Sequence, residues 1–193
     1  EYILKFQDDG GRFSSGETSV IIDIPDVGQQ LAVLTKREDL LAQPFCSASG
    51  SGSCTSTKTN VTYTGGALQL TDPSANLTGT YEFAETLDLG AVFSLDLVRH
   101  FKTEGFYPSD LFDSRGLIDD ITDFDGATAT EVNAEMLVRV TQDNPSSGSP
   151  TYTAFQTFAN GTYKGRGFQF RAKLTSNDTA QDIRVSELGY TAS

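Results

Sequence analysis

The sequence predicts an all-β protein: an antiparallel β-sandwich of jelly-roll type, with an extended N-terminal arm and at most one short helix. Apolar and polar side chains alternate through many short stretches, which is the period of a half-buried strand. Clusters of Gly, Pro, Asn, Asp and Ser separate these stretches, and helical periodicity is almost absent. Many short antiparallel strands joined by turns are typical of sandwiches and jelly rolls.

The clearest predicted strand is Gly167–Leu174. Successive residues of a strand point to opposite faces of a sheet, so residues two apart share a face. Phe168, Phe170, Ala172 and Leu174 form the apolar face, and Gln169, Arg171 and Lys173 form the polar one. The pattern predicts a strand with one buried and one solvent-facing side.

The same reasoning predicts strands elsewhere in the chain, at Ala67–Leu70, Gly79–Phe83, Asp88–Leu97, from Ala134, near Tyr152 and from Ile183. In Asp88–Leu97 the apolar residues fall on one face, which we expect to be buried: Ala91, Phe93, Leu95 and Leu97.

Composition divides the chain into three parts. Residues 1–45 are predicted to be an arm or a small subdomain, 46–66 a Ser/Gly/Thr-rich connector, and 67–193 the β-sandwich domain. In the arm, Tyr2–Phe6 and Ser19–Ile24 favour a hairpin or a pair of extended segments, and Asp26–Leu41 carries the one helical pattern. The chain begins with Glu1 rather than Met, so we expect a piece of a longer polypeptide.

The net charge of −12 disfavours nucleic acid as a partner, because phosphate binding needs a basic surface. Residues 134–193 carry six Lys/Arg and five Asp/Glu, so the excess negative charge belongs to residues 1–133. No apolar run approaches the roughly 18 residues of a membrane span, and none is predicted.

Cys46 and Cys54 are the only cysteines and bracket a flexible Ser/Gly stretch. They are a candidate disulfide, which suits an extracellular particle, whereas two free thiols suit the cytoplasm. Two thiols without a nearby His cannot supply the four ligands of a structural zinc site.

No residue pattern indicates an enzyme, a metal or a cofactor. The acidic run Asp119–Gly126 fits the EF-hand calcium pattern at neither end. A solvated acidic loop is the simpler interpretation, and an irregular calcium site on the loop is the alternative. His100, the only histidine, lacks the Gly-x-Ser-x-Gly elbow of a Ser/His/Asp hydrolase, so we interpret it as a strand-edge residue. Glycosidases need only two carboxylates, which 26 acidic residues provide by chance.

The candidates for binding lie in the aperiodic segment Lys102–Glu131. Aromatic rings beside Gly, Pro and Asp suit sugar stacking or protein contact, and the alternative is that they anchor the loop. The predicted receptor- or glycan-binding residues are Phe106, Tyr107, Asp110 and Phe124. A predicted basic stripe on the last sheet, facing an acidic subunit, anionic glycans or solvent, consists of Lys164, Arg166, Arg171, Lys173 and Arg184.

The back two-thirds of the chain resembles the C-terminal region of tail-tip host-specificity proteins, the J-like central tail proteins of long-tailed bacteriophages. The resemblance covers roughly residues 65–193 and is carried by Gly79–Phe83, Leu87–Val92, Val132–Arg139, Tyr163–Leu174 and Ile183–Leu188. Val138–Asp143 takes the place of that family's "Val-Arg-x-Ser-x-Asp" segment, ahead of its Gly-Arg-x-Phe-Gln-Phe-Arg strand.

The resemblance implies a β-sandwich at the distal end of a virion tail, extracellular and homotrimeric, which contacts other tail proteins and a bacterial surface receptor or polysaccharide. It implies no catalytic residues. We therefore expect a non-enzymatic module that contributes to host recognition. The alternatives are a structural domain that joins tail or capsid subunits and a tail enzyme that degrades polysaccharide.

Overall fold

The computed structural model describes residues 2–4, 18–20, 33–46, 56–108 and 129–193. The chain divides into two compact units, residues 1–32 and 33–193. In the first unit β1 (Tyr2–Leu4) and β2 (Thr18–Val20) pair antiparallel, with Ile3 opposite Ser19. β1 lies within the first apolar segment for which the sequence favours a hairpin or extended arms, and β2 overlaps the start of the second, Ser19–Ile24.

The described residues of the second unit form ten antiparallel strands that belong to one hydrogen-bonded sheet. They are β3 (Leu34–Arg37), β4 (Thr57–Thr59), β5 (Val61–Thr64), β6 (Ala67–Leu70), β7 (Thr78–Glu82), β8 (Leu87–Phe106), β9 (Val132–Thr141), β10 (Gln156–Thr157), β11 (Gly161–Ser176) and β12 (Asp182–Ala192).

The long strand β8 joins the two halves of this sheet. Its first half pairs with β11, from Leu87 opposite Phe168 to Leu97 opposite Gly161. From Leu97 onward it pairs instead with β12, ending with Phe106 opposite Asp182. Because one strand serves both halves, the sheet curls around a single core and nearly closes as a barrel. The all-β antiparallel prediction is confirmed, and the finer prediction of a jelly-roll sandwich stays a prediction.

The core lies between β11 and β12. Phe168, Phe170, Ala172 and Leu174, here called the inner face of β11, are each at most 1% exposed, as the alternation predicts. The Phe170 ring stacks on Tyr190 of β12, with 4.2 Å between centroids, and also packs against Phe83 and Phe158. The outer face of β11 is formed by Gln169, Arg171 and Lys173, which are only partly buried.

The segment from Val33 to Cys46 packs on this core, so the predicted arm ends earlier than residue 45. Phe45 is fully buried and packs against Tyr63 and Tyr81, although its φ of 49° is unusual for a bulky side chain. It lies in a short 3₁₀ turn, Pro44–Cys46.

The predicted helix Asp26–Leu41 is wrong where the structure describes it, since Leu34–Arg37 form β3 and pair with the end of β12. The apolar spacing there does not mark a buried helical face, because Leu34 is 46% exposed. Residues 26–32 lie outside the described part.

The predicted connector 46–66 also differs from the structure, because its second half contributes β4 and β5 to the main sheet. Thr57–Thr59 pair with β7, and Val61, only 6% exposed, contributes to the core. Thr and Val favour strands in spite of the surrounding turn residues, so composition alone does not define this boundary.

Candidate functional site

An open groove of about 700 Å³ lies between the end of β9, the chain that returns to β10 and the start of β11. Its walls combine aromatic rings with hydroxyl, amide and charged side chains, the mixture expected of a small-molecule site. The lining residues are Val140, Gln142, Asp143, Thr151, Tyr152, Thr153, Gln156, Thr162, Tyr163 and Lys164.

The groove exists because β9 and β11 separate at this end of the sheet. Their pairing runs from Val132 opposite Ser176 to Thr141 opposite Gly167. Beyond Thr141 the chain turns away, while the first residues of β11 continue alongside β8 only. The space beside Thr162–Lys164 is therefore left open, and a single side-chain hydrogen bond, from Gln142 Nε2 to the Lys164 carbonyl at 3.4 Å, crosses it.

Two glycines of β11 allow the chain to leave β9 at this point. A Cβ at Gly165 would overlap Val140, and a Cβ at Gly167 would overlap the ring of Pro145. Glycine is thus needed at residues 165 and 167 because neighbouring side chains occupy the space that a Cβ would fill. The register of the β8–β11 pair also shifts between Gly165 and Gly167.

Hydrogen bonds fix the returning wall of the groove. Thr141 Oγ1 donates to the Thr151 carbonyl at 2.7 Å, and the Thr151 N–H donates to Asp143 Oδ2 at the same distance. Further along, the Thr153 N–H donates to the Val140 carbonyl at 2.9 Å, and the Val140 N–H donates to Thr153 Oγ1 at 3.0 Å. The wall is therefore preorganised although it contains almost no regular strand.

Both tyrosines of the groove are held in place. The Tyr163 hydroxyl donates to the Ala159 carbonyl at 2.8 Å, and its ring meets Phe158 edge-on. The Arg139 guanidinium lies 4.8 Å from the centre of the Tyr152 ring, and burial raises the pKa of the Tyr152 phenol. The Tyr152 phenol consequently stays neutral at physiological pH.

The polar groups of the groove suit a ligand that is rich in hydroxyls. The Gln156 side chain has no hydrogen-bond partner among the described residues, and Lys164 is exposed. Asp143 is the only carboxylate among the lining residues. Within the described ranges, no cluster of three or more His, Cys, Asp or Glu side chains could hold a metal ion.

The structure describes two of the four predicted binding residues; one contacts β12 and the other contacts the residue just before it. Phe106 is half-buried with the Arg184 guanidinium 3.8 Å from its ring centre, and Tyr107 accepts a 3.4 Å hydrogen bond from Gln181 Nε2. Phe106 and Tyr107 therefore contact neighbouring side chains of the fold, as the anchoring alternative predicts, rather than standing free of it. Asp110 and Phe124 lie outside the described residues, as does the acidic run 119–126, so that part stays a prediction.

The predicted basic stripe is neutralised over part of its length. Arg166 pairs with Asp88 at 3.1 Å, Arg171 pairs with Glu82, and Arg184 is covered by Phe106. Lys164 and Lys173 form no ion pair with a described residue. The stripe is therefore several local contacts rather than one continuous charged surface.

The remaining sequence candidates are the two cysteines and His100. Cys46 is disulfide-bonded, whereas Cys54 lies outside the described residues, so their pairing stays a prediction. His100 is part of β8, and its Nε2 lies 2.8 Å from Thr191 Oγ1.

Sequence reasoning missed the groove because most of its residues have no periodic pattern. The segment 151–156 contributes Tyr152 and Gln156 only after the chain folds back along β9. One signal was available: the segment Val138–Asp143, which carries part of the family resemblance, ends in Gln142 and Asp143 at the groove.

Comparison of the chain with protein-family models, with curated proteins and with solved structures finds no match. No helix in the part of the chain that the structure describes has the length and apolar character that a membrane span requires. The chemistry of the groove is therefore the main guide to function.

Proposed function

We propose that this chain is a non-enzymatic binding module that recognises a saccharide of a bacterial surface through the groove between β9 and β11. The observation that carries the proposal is that two fixed tyrosines share an open cleft with amide, hydroxyl, carboxylate and ammonium groups. Tyrosine suits sugars because its ring offers an apolar surface while its edge is polar. Amide and hydroxyl side chains can both donate to and accept from sugar hydroxyls.

Binding is favoured over hydrolysis by the charges of the groove. Hydrolysis of a glycosidic bond usually needs two carboxyl groups on opposite sides of that bond. Asp143 is the only carboxylate that lines the cleft, and one of its oxygens already accepts the Thr151 N–H. The alternative of a polysaccharide-degrading tail enzyme has less support from this site.

The place of such a module in a virion is inferred from the sequence resemblance to phage tail-tip proteins. A trimeric, extracellular tail component that contacts a host polysaccharide fits the resemblance. The groove adds a surface on which that contact could occur.

The proposal is tested by removing both groove amides. The double variant Gln142→Ala/Gln156→Ala changes two exposed side chains and should fold normally. At about 0.5–1.5 kcal/mol for each lost hydrogen bond, its affinity for a glycan captured on an array of bacterial envelope saccharides should fall about tenfold. Released reducing ends are measured in parallel, and none are expected.

Gln69→Ala is the matched control, because it removes the same type of side chain from β6, away from the groove lining. Equal binding by the double variant and the wild type would contradict the proposal, as would the absence of any binding by the wild type.

A second candidate function, a structural domain that joins virion subunits, is favoured by exposed apolar side chains on β8. Phe93 is 51% exposed, and Val92 and Val98, on the opposite face of the strand, are 40% and 43% exposed. Large apolar side chains left exposed are candidates for subunit contacts. If Phe93 joins copies of the chain, light scattering should show that Phe93→Ser shifts a trimer toward monomer; a mass unchanged by this variant would count against this function.

A further inference from the structure

Lys164 brings an uncompensated positive charge to the groove. It is exposed, lines the cleft and forms no ion pair with a described residue. The neighbouring cation on the same strand, Arg166, is paired with Asp88. Lys164 is therefore available to a ligand, whereas Arg166 is engaged by the protein.

A second cation lies behind the groove wall. Arg139 contacts the rings of Tyr152 and Phe155, at 4.8 and 4.5 Å from their centres, and donates a 2.8 Å hydrogen bond to Gln169 Oε1. None of these partners carries a negative charge, so the charge of Arg139 is also left uncompensated by the described residues. Two cations thus stand near two carboxylates: Asp143, which lines the groove, and Asp96, which accepts a hydrogen bond from Thr162 Oγ1.

The groove is therefore less negative than the whole chain, which carries a net charge of −12. At physiological ionic strength, charges more than about 8 Å apart are largely screened from each other in water. An anionic group in the groove therefore responds mainly to nearby cations. The rest of the acidic surface repels such a group only weakly, because that repulsion is screened.

We propose that the groove selects saccharides that carry a carboxylate, such as hexuronates, with Lys164 as the residue that contacts the carboxylate. This inference rests on the proposed function. The ammonium group of Lys164 donates to the carboxylate, while Gln156, Oε1 of Gln142 and the free oxygen of Asp143 are available to the sugar hydroxyls. A neutral sugar of the same size makes all of these contacts except the first.

The test compares a hexuronate oligosaccharide with the same oligosaccharide after its carboxyl groups have been reduced to primary alcohols. Calorimetric titration of the wild type should show about three- to tenfold tighter binding of the acidic form, the range expected for one partly exposed ionic contact. The advantage should shrink as salt is raised. Lys164→Gln should remove the advantage while retaining affinity for the reduced form.

Lys173→Gln is the matched control, since it neutralises a lysine on the same strand that does not line the groove. Equal binding of both ligand forms by the wild type would overturn the carboxylate proposal, and so would equal losses in the two lysine variants. If the Gln142→Ala/Gln156→Ala variant still bound both ligand forms more weakly than the wild type, the proposed function would stand without the carboxylate proposal. Binding of neither form would overturn the carboxylate proposal, and the array would then decide the proposed function separately.

Discussion

The two faces of β11 differ in how they use aromatic rings. On the inner face Phe170 packs against other rings, 4.2 Å from Tyr190 and 5.4 Å from Phe158. On the outer face the Phe155 ring lies between two guanidinium groups, 3.9 Å from Arg171 and 4.5 Å from Arg139. The inner contacts exclude water from the core, whereas the outer ones keep cations near solvent.

The comparison shows how the outer side of β9 and β11 keeps charge within reach of a ligand. Ring-on-ring packing is satisfied within the protein and leaves no polar group for a ligand. Cation–ring contacts hold a charged side chain in place without neutralising it. Because Arg171 is also paired with Glu82, Arg139 is the cation of the two whose charge stays available for recognition.

The largest expected effect is on the inner face. Phe170→Ala removes a ring that is 1% exposed and should lower the free energy of unfolding by about 3–5 kcal/mol. Lys173→Ala, three residues along on the outer face, should change it by less than about 0.5 kcal/mol. Urea unfolding of the two variants measures the contrast, and similar losses would refute the distinction between the faces.

A smaller effect is expected at a buried carboxyl that interrupts the apolar interior. Glu38 is fully buried, and the Tyr81 hydroxyl donates to its Oε2 at 2.6 Å. Burial raises the pKa of Glu38, and the hydrogen bond from Tyr81 opposes this only in part. Since Oε1 has no hydrogen-bond partner in the described structure, ionisation would leave a charged oxygen unpaired.

Because the pKa of Glu38 is higher in the folded state, its contribution to stability is fully present below the unfolded-state pKa, near 4.5, and is lost as pH rises through the folded-state pKa. Glu38→Gln should therefore gain stability relative to the wild type as pH increases from 4.5. Urea unfolding across this range measures the difference. Glu104→Gln, an exposed carboxyl on β8, serves as control, and a difference independent of pH would contradict the assignment.

Alternation in the sequence predicted the inner faces well because burial in a sheet repeats every two residues. Phe168, Phe170, Ala172 and Leu174 are all buried as expected. The same rule fails at Phe93, which shares a predicted face with Leu95 and Leu97 but is 51% exposed. Period two identifies the face of a strand, but it does not show where along the strand the core ends.

The outer contacts could not be predicted, because they join segments without a shared pattern. Phe155 meets Arg139 and Arg171 only after the chain has turned back at residues 144–150. Leu34 shows the opposite problem. Its spacing predicted a helix, yet Leu34 lies in β3, which pairs with the end of β12.

The smallest expected effect on the free energy of unfolding is at Phe106. This predicted binding residue makes a cation–ring contact of the kind found on the outer face of β11. Phe106→Ala removes the ring over Arg184, a contact worth about 0.5–1 kcal/mol, and should lower the free energy of unfolding by about 1 kcal/mol. A double-mutant cycle with Arg184→Gln measures the coupling between the two side chains. Glycan binding should be unchanged, because neither residue lines the groove. Loss of binding with intact stability would instead locate recognition in the Phe106 region, and a loss of several kcal/mol would show that this ring belongs to the core.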